Sequence, residues 1–265
     1  MATSPSSERP RLSPRERHAQ ILALLRRDGV VRIATLAKTF RVTTETARRD
    51  LDELAGAGEL HRTYGGGASR SLIDEPGIGP RGLVHPEERT RIAAAAAGLV
   101  DDGDALMIDA GSTTTLFATA LSARNLHLTV VTNCLPVAAA LAAADRCRVI
   151  LCPGDYVARQ GGVFGPETAA FLHRFQANKT FIGAGGVDED GITDADSAGC
   201  AVKRAMIARG EHAILLADSA KFGAVQFERV APLEVLDTLV TDRAPPRALA
   251  AALRGARVVV TVAPR

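Results

Sequence analysis

The chain lacks the features on which secreted and membrane proteins depend. It has four cysteines in 265 residues, too few for a disulfide scaffold and with no C-x-x-C pair: Cys134, Cys147, Cys152 and Cys200. No run approaches the roughly 18 apolar residues of a membrane span. The N-terminal residues are rich in Ser, Pro and Arg and lack the apolar segment of a secretory signal. We therefore expect a reduced, cytoplasmic protein with no membrane attachment.

The chain also has little net charge, +2, but that charge is unevenly distributed. Residues 1–70 hold 13 Lys and Arg against 8 Asp and Glu, whereas residues 71–265 hold 19 against 22. A basic excess at one end favours contact with a polyanion. The length suffices for one small and one larger domain, the larger with a well-buried core.

Three short helices are predicted near the N-terminus. Ser13, Pro14 and Glu16 supply the N-cap, the first helical position and the capping box of the first helix. Thr43 caps the third helix, which should end near residues 56–58. The inward-facing residues of the second and third helices recur at helical spacing: Ile33, Leu36, Ala37, Phe40, Ala47, Leu51 and Leu54. Residues 41–42 form the turn between these two helices.

The outward face of the third helix carries adjacent arginines, Arg48 and Arg49, with Glu45 and Asp52. Two interpretations of this face stay open when it is taken alone. It is either a solvated surface with i, i+4 pairs Glu45–Arg49 and Arg48–Asp52, or a DNA-contacting surface. A basic strand over 59–64 and a hairpin tip at glycines 65–67 follow, which completes a winged helix-turn-helix layout and favours DNA.

The rest of the chain has a different pattern. Residues 69–86 contain six Gly and Pro residues and are predicted to be a linker. Helices then alternate with apolar strands, predicted at 105–109, 128–132, 149–151, 180–182, 213–216, 238–240 and 258–262. This alternation predicts a mostly parallel sheet covered on both faces. We therefore predict a winged helix-turn-helix domain over 13–68, the linker over 69–86 and an α/β domain over 87–265.

A candidate ligand site follows the first strand of the α/β domain, because such sheets bind ligands beyond the carboxyl ends of their strands. Loop 109–115 has Gly111 for a sharp turn and four consecutive hydroxyl residues, 112–115, at the start of a helix. Helix N-termini favour anions, and capping alone needs only one hydroxyl, so we prefer a phosphate site. Turns 132–133, 183–186 and 218–223 are expected to converge on it.

The motifs together resemble the DeoR family of bacterial transcription regulators. The segments that carry the resemblance are, in chain order, LAKTFRV at 36–42, TARRDL at 46–51, YGGGA at 64–68, DAGSTT at 109–114, VTN at 131–133, VKRAMI at 202–207 and DSAKFG at 218–223. The resemblance extends from about residue 15 to about residue 242. The ordered combination is far more specific than any single motif.

The resemblance implies an α/β sensor domain similar to sugar-phosphate isomerase and CoA-transferase folds. It implies a repressor of a carbohydrate-metabolism operon, a homodimer or higher oligomer, which binds double-stranded operator DNA and responds to a phosphorylated sugar or related effector without a cofactor or metal. The expected DNA-binding residues are Arg41, Thr43, Thr44, Thr46, Arg48, Arg49, His61, Arg62, Tyr64, Gly65 and Gly66. The expected effector-binding residues are Asp109, Gly111, Ser112, Thr113, Thr114, Asn133, Lys203 and Lys221.

The chain departs from the family's pattern at several positions. Ala47 is smaller than the usual aliphatic residue, Tyr64 replaces a usual His, and Ala220 replaces a usual hydroxyl. Residues 152–154, Cys-Pro-Gly, replace a Gly-Gly pair and are expected to stiffen the wall of the site.

Two alternatives stay open at this point. One is a sugar-phosphate isomerase-like enzyme with Asp109 or Asp218 as general base and Lys221 on the phosphate. The other is a regulator that senses through its thiols, for instance through a Cys147–Cys152 pair. Because buried structural cysteines are far commoner, the second alternative is the less favoured.

Overall fold

The protein is described here by a computed structural model of residues 12–28, 30–63, 65–69 and 85–264. The N-terminal part contains α1 (Pro14–Asp28), α2 (Ile33–Phe40) and α3 (Thr44–Gly56). It also contains a small antiparallel sheet of β1 (Val30–Arg32), β2 (Leu60–Thr63) and β3 (Gly66–Ser69), in the order β1-β3-β2. The three predicted helices are confirmed. The linker predicted over 69–86 falls almost entirely outside the described residues.

The helix starts follow from the capping residues that the sequence offers. The backbone N–H and hydroxyl of Ser13 donate to Glu16 Oε2 at 2.8 and 2.7 Å, which closes the capping box of α1. The Thr46 N–H donates to Thr43 Oγ1 at 3.1 Å and caps α3. Arg41 ends α2 in the left-handed region, at φ 54°. The turn between α2 and α3 is therefore tight and depends on an unusual conformation for a residue with a side chain.

The core of this part is small and is supported by a buried ion pair. The apolar residues predicted to face inward on α2 and α3 are all buried. Arg17 on α1 donates from Nε and Nη2 to both carboxylate oxygens of Asp50 on α3, at 2.7 and 2.8 Å. Burial would raise the pKa of Asp50, but the hydrogen bonds and charge of Arg17 outweigh it and hold that pKa below its ordinary value. The pair thus fixes the first helix against the third.

The wing differs from the sequence-based expectation. Of the three glycines expected at the hairpin tip, Gly65 lies in the turn, whereas Gly66 and Gly67 belong to β3 and pair with β1 and β2. A Cβ on Gly66 would lie 1.9 Å from the Val31 carbonyl oxygen, so the close approach of β1 requires glycine there. The strand β1 itself was not predicted, because three residues between a helix stop and a helix start carry no periodic signal.

The C-terminal part is built on a seven-stranded parallel sheet in the order β15-β14-β12-β9-β4-β5-β6. Its strands are β4 (Ala105–Ile108), β5 (Leu128–Thr132), β6 (Cys147–Leu151), β9 (Ala177–Ile182), β12 (Gly210–Leu216), β14 (Thr238–Thr241) and β15 (Val259–Val262). The helices are α4 (Pro86–Ala97), α5 (Ser112–Ser122), α6 (Leu135–Ala142), α7 (Pro166–Leu172), α8 (Ser197–Ile207) and α9 (Arg247–Gly255). The predicted alternation of strands and helices is confirmed.

Both faces of this sheet are covered, as predicted. On β4, Leu106 and Ile108 belong to a core with α4, α5 and α6, whereas Met107 points to the opposite face, in a core with α7 and α8. This alternation along an apolar strand is what a doubly covered parallel sheet requires. A third core, shared by β12, β14 and α9, extends the second face toward the β15 edge.

Short antiparallel elements that the sequence analysis missed complete the fold. They are the hairpin of β7 (Asp155–Val157) and β8 (Gly162–Phe164), and the sheet of β10 (Gly186–Asp188), β11 (Gly191–Asp194) and β13 (Glu228–Ala231). Strands of three or four residues give too little alternation to be recognised. Within the described ranges, no helix is long and apolar enough to cross a membrane.

Candidate functional site

The order of the central strands brings three loops together. β9 lies between β4 and β12, so the loops that follow these strands are neighbours at the carboxyl edge of the sheet. They are loop 109–111, which leads into α5, loop 183–185 and loop 217–224. The loop after β5 is separated by β4 from the loops that follow β9 and β12. Three of the four turns predicted to converge therefore do so, and the turn at 132–133 does not.

These loops enclose a pocket of about 430 Å³, including the solvent at its mouth. The lining residues come from the three loops, from α4, α5 and α8 and from β11 and β12: Arg89, Ala110, Gly111, Ser112, Thr113, Thr114, Gly183, Ala184, Asp194, Lys203, Leu216, Ala217, Asp218 and Lys221. Six of the eight effector-binding residues expected from the sequence are in this set.

The hydroxyls at the start of α5 have different roles. The Thr114 and Thr115 hydroxyls both donate to the Gly111 carbonyl, at 2.9 and 2.7 Å, and so satisfy the backbone before the helix. Ser112 and Thr113 remain at the pocket, in the first turn of an eleven-residue helix whose leading amides have no intrahelical acceptor. Gly111 is extended, at φ 179°, and lies at the bend between β4 and α5.

Arg89 on α4 is the principal site residue that the sequence analysis missed. It is buried, and it donates from Nη1 to Ser112 Oγ and from Nε to Asp218 Oδ2, both at 2.9 Å. Burial alone would raise the pKa of Asp218, but Arg89 and the neighbouring charges of His85, Lys221 and Arg32 hold it well below its ordinary value. Asp218 is therefore an anion that fixes Arg89 against the first turn of α5.

Lys203 occupies the opposite side of the pocket, between two carboxylates. Its Nζ lies 2.9 Å from Asp109 Oδ2 and 3.0 Å from Asp194 Oδ2, and all three side chains are almost fully buried. Burial would lower the pKa of Lys203, but the charges of the two aspartates outweigh it and raise that pKa above its ordinary value. An ammonium held by carboxylates suits the recognition of ligand hydroxyls.

Two expected effector residues lie behind the pocket rather than on its lining. Asn133 is fully buried, accepts the Ala110 N–H at 3.1 Å and donates to the Val163 carbonyl at 3.1 Å. It therefore positions loop 109–111 from beneath. Asp109 contacts the pocket lining through Lys203 and by accepting the Gly183 N–H at 3.4 Å, and its Oδ1 has no hydrogen-bond partner in the described part of the chain. The Cys-Pro-Gly segment 152–154 follows the edge strand β6 and is not pocket wall, contrary to expectation.

The face of α3 that was expected to meet DNA is exposed. Arg41, Thr44, Arg48 and Arg49 are all solvent-accessible, whereas Thr46 is half-buried. The Thr43 hydroxyl is already used in capping α3. Tyr64 and the side chain of His61 lie outside the described residues.

The ion pairs that the solvated-surface interpretation of α3 named, Glu45–Arg49 and Arg48–Asp52, do not form among the described residues. Arg48 pairs with Glu45, three residues earlier, and Asp52 accepts Arg62 Nε from the wing at 2.7 Å. Arg62 also donates to the Gly66 carbonyl, so it fastens the wing to α3. Spacing along a helix did not predict these pairs because the wing folds back over the same face. No ion pair to Arg49 is found within the described segments, which leaves its charge available to a phosphate.

Two domain families match the chain in the order of its two parts. The DeoR-like helix-turn-helix domain matches residues 17–71, and the DeoR C terminal sensor domain matches residues 84–243. Together they cover most of the protein. The chain belongs to the DeoR family of transcription regulators.

DeoR-family relatives match over nearly their whole length. The chain is 34% identical to the glycerol-3-phosphate regulon repressor of Escherichia coli (strain K12), over 87% of this chain and 92% of that protein. It is 30% identical to the HTH-type transcriptional repressor CsqR of the same organism, over 94% and 95%. Among solved structures, ribose 5 phosphate isomerase A from Neisseria gonorrhoeae covers 51% of this chain and 53% of its own, at 20% identity and a TM-score of 0.38.

Membership of the DeoR family decides between the interpretations that the sequence left open. The protein is a DNA-binding transcription regulator rather than an isomerase-like enzyme.

The thiol-sensing alternative has no support from the burial of the cysteines. Burial raises the pKa of Cys134 and Cys147, and it raises the pKa of Cys152 and Cys200 to about 12. Thiols of this kind are poor nucleophiles and weak redox sensors at neutral pH.

Proposed function

We propose that this regulator represses a carbohydrate-metabolism operon and releases its operator when a phosphorylated sugar, or a related phosphorylated metabolite, binds in the pocket between α5 and α8. The observation that carries the proposal is the set of donors at one end of that pocket. Arg89 and Lys221 line it together with the Ser112 and Thr113 hydroxyls at the first turn of α5, while Lys203 lies across the pocket between Asp109 and Asp194. The names of the relatives, both repressors, agree with it.

The two ends of the pocket suit the two ends of such a ligand. Ser112, Thr113, Arg89 and Lys221 offer hydroxyls, cations and helix amides to a phosphate. Lys203 and its carboxylates offer donors and acceptors to sugar hydroxyls on the other side. A phosphate dianion at that end would also be attracted by Arg89 and Lys221, which is an energetic reason for an anion rather than a neutral sugar.

A thermal-shift screen of the full chain tests the effector half of the proposal. We expect glycerol 3-phosphate, glucose 6-phosphate or fructose 6-phosphate to raise the melting midpoint by several degrees, since a ligand at 100 times its Kd adds about 2.7 kcal/mol. Glycerol, glucose and fructose are the matched controls. The Lys221→Met variant is expected to lose the shift, because it removes a cation at the phosphate end. Equal shifts with the unphosphorylated compounds would contradict the assignment of a phosphate site.

Operator recognition is proposed to rest on the exposed face of α3 in a dimer or higher oligomer. Paired heads would place two recognition helices about 34 Å apart, one turn of DNA. We expect the double variant Arg48→Ala and Arg49→Ala to lose specific binding to a duplex selected by the wild-type protein from random sequence. Lys38→Ala, an exposed cation on α2, is the control for loss of charge. Gel shifts at one fixed salt concentration measure both, and unchanged affinity in the double variant would remove α3 from the interface.

A further inference from the structure

An arginine makes a polar contact between the DNA-binding head and the sensor domain. Arg32, the last residue of β1, is largely buried and donates from Nη1 to Glu88 Oε1 at 2.8 Å and from Nη2 to Ser219 Oγ at 3.0 Å. The same Nη2 lies 3.5 Å from Asp242 Oδ2 and 3.8 Å from Asp218 Oδ1. A largely buried guanidinium with several acceptors makes a strong contact that depends on its orientation.

An apolar contact accompanies this polar one. Val30, two residues before Arg32 on β1, is buried together with Ala220 and Ala224 of the sensor domain. Ala220 takes the place of the hydroxyl residue expected from the family pattern, and its small methyl group belongs to this apolar cluster. The head therefore contacts loop 217–224 through two side chains of β1, Val30 and Arg32.

Loop 217–224 has a second face, which belongs to the effector pocket. Asp218 and Lys221 line that pocket, and Asp218 accepts Arg89, which in turn donates to Ser112 in the first turn of α5. A continuous polar chain thus runs from the head to the start of α5, through Arg32, Asp218, Arg89 and Ser112.

The first turn of α4 repeats this arrangement with two adjacent residues. Glu88 accepts Arg32 from the head, and its neighbour Arg89 donates to Asp218 and Ser112 at the pocket. Both elements on which the head rests, loop 217–224 and the start of α4, therefore also form the pocket. A change at one face of either element must be accommodated at the other, since both are packed in a buried setting.

We infer that Arg32 is a positioning residue that reports pocket occupancy to the DNA-binding head, by docking the head on loop 217–224 more firmly when an anion is bound. This inference rests on the proposed function. Asp218 is nearly fully buried and is compensated from both sides, by Arg89 and by Arg32. An anion at Ser112 attracts Arg89 away from Asp218. The charge of Asp218 is then compensated to a larger extent by Arg32, so the docked arrangement becomes more stable.

The direction of regulation follows from this electrostatic argument. An effector can favour only the arrangement to which it binds more tightly. Because the effector favours the docked arrangement and the proposed effector releases the operator, the docked head is the one with lower operator affinity. Heads held on their own sensor domains are not free to adjust to the spacing of two half-sites.

The test compares variants on the two sides of the contact. Arg32→Gln removes the positive charge from the head, and Glu88→Gln removes the facing negative charge from the sensor domain without changing the head. Lys38→Gln, which removes an exposed head cation of equal charge, is the matched control. Operator affinity of each full-length variant is measured by gel shift at fixed salt, with and without each phosphorylated sugar of the thermal-shift panel. A melting curve with the same compounds confirms that the pocket still binds.

We expect the effector to weaken operator binding by about 5- to 150-fold in the wild type and in Lys38→Gln, the range typical of coupled sites. In Arg32→Gln and Glu88→Gln this ratio is expected to fall below about threefold while the thermal shift persists. An undiminished ratio in both variants overturns the inference and leaves the proposed function intact. A wild type that shows neither a thermal shift nor a change in operator affinity overturns the proposed function, and the inference with it.

Discussion

Replacement of Lys203 by methionine isolates the energetic role of the buried charge at the effector pocket. Methionine keeps the length and apolar character of the lysine stem, so packing changes little. The substitution leaves Asp109 and Asp194 without their shared ammonium, which lies 2.9 and 3.0 Å from them. Removing one partner of a buried ion pair costs about 3–5 kcal/mol, because the remaining charge is still buried.

The chain supplies a matched control at its surface. Lys179 Nζ also bridges two aspartates, lying 2.7 Å from both Asp101 Oδ2 and Asp104 Oδ2, but the Asp101 side chain is 82% exposed. Water reaches Asp101 directly, and Asp104 and Lys179 keep 13% and 15% of their side chains exposed, so Lys179→Met is expected to cost less than Lys203→Met does. The two variants remove the same charge and the same two contacts, and they differ in burial.

Urea unfolding of the full chain, followed by far-UV circular dichroism, measures the difference. The lower midpoint of Lys203→Met should correspond to about 3–5 kcal/mol, and in a thermal melt to a loss of about 6–20 °C for a domain of this size. A loss within about 1 kcal/mol of the Lys179→Met value would refute the claim that the cluster is buried and mutually compensated.

The pH dependence of that difference provides a second check. The pKa of Lys203 is raised in the folded protein, so its contribution is complete below the unfolded lysine pKa of about 10.4 and is lost only above it. The wild-type contribution is therefore constant between pH 5 and pH 8. In the variant the carboxylate pair relieves its repulsion by taking up a proton as the pH falls. The stability gap between the two proteins should accordingly be smaller at pH 5 than at pH 8.

Two further predictions concern the wing and the thiols. Gly66→Ala should unfold the wing and abolish operator binding, because its Cβ would lie 1.9 Å from the Val31 carbonyl oxygen. In the control Gly56→Ala the new Cβ has nothing within 4 Å, so this variant should melt at or slightly above the wild-type temperature. Equal melting curves and operator affinities for the two variants would show that the wing tolerates a Cβ. Iodoacetamide at pH 7.5 should leave effector-induced release of the operator unchanged, because burial raises the pKa of Cys152 and Cys200 to about 12. A loss of release that parallels cysteine alkylation in a mass spectrum would instead support thiol sensing.

The strands of the sensor domain were predictable because burial on both faces leaves a direct mark on sequence. A run such as that of β5 (Leu128–Thr132) is apolar or β-branched throughout, and its bounds agree with the expectation from the sequence. The head was predictable for a different reason. Its helix starts are fixed by local side-chain bonds, those of Ser13 with Glu16 and of Thr43 with Thr46, which span three residues each.

Arg89 and Asp194 were missed because their roles come from distant parts of the chain. Arg89 lies in an Ala-rich helix where a cation is usually a solvated surface residue, and its partner Asp218 is 129 positions away. Asp194 ends a four-residue strand that the sequence did not reveal. A clue to Arg89 exists all the same, since it is a charged residue on the helix face that carries Ile92, Ala93 and Ala96 into the core.

The error at Asn133 has a topological origin. Sequence order makes the loop after β5 the next candidate once loop 109–115 is accepted, but β5 pairs with the side of β4 away from β9. Only the strand order decides which carboxyl ends face the pocket, and that order is set by long-range pairing rather than by any local pattern. The family motif still includes this residue because Asn133 accepts the Ala110 N–H, and so holds loop 109–111 in place from behind the pocket.

A buried carboxylate shared between two domains constrains how such a regulator works. Asp218 is compensated by Arg89 on the pocket side and approached by Arg32 on the head side, so the free energy of each contact depends on the other. Coupling of this kind is reciprocal: if a bound anion favours the docked head, operator DNA that engages the undocked head must weaken anion binding by the same factor. Under that coupling, regulator bound to its operator would respond to the anion only at higher concentrations than free regulator does. The concentration needed for release would then be set jointly by the pocket and by the contact that holds the head.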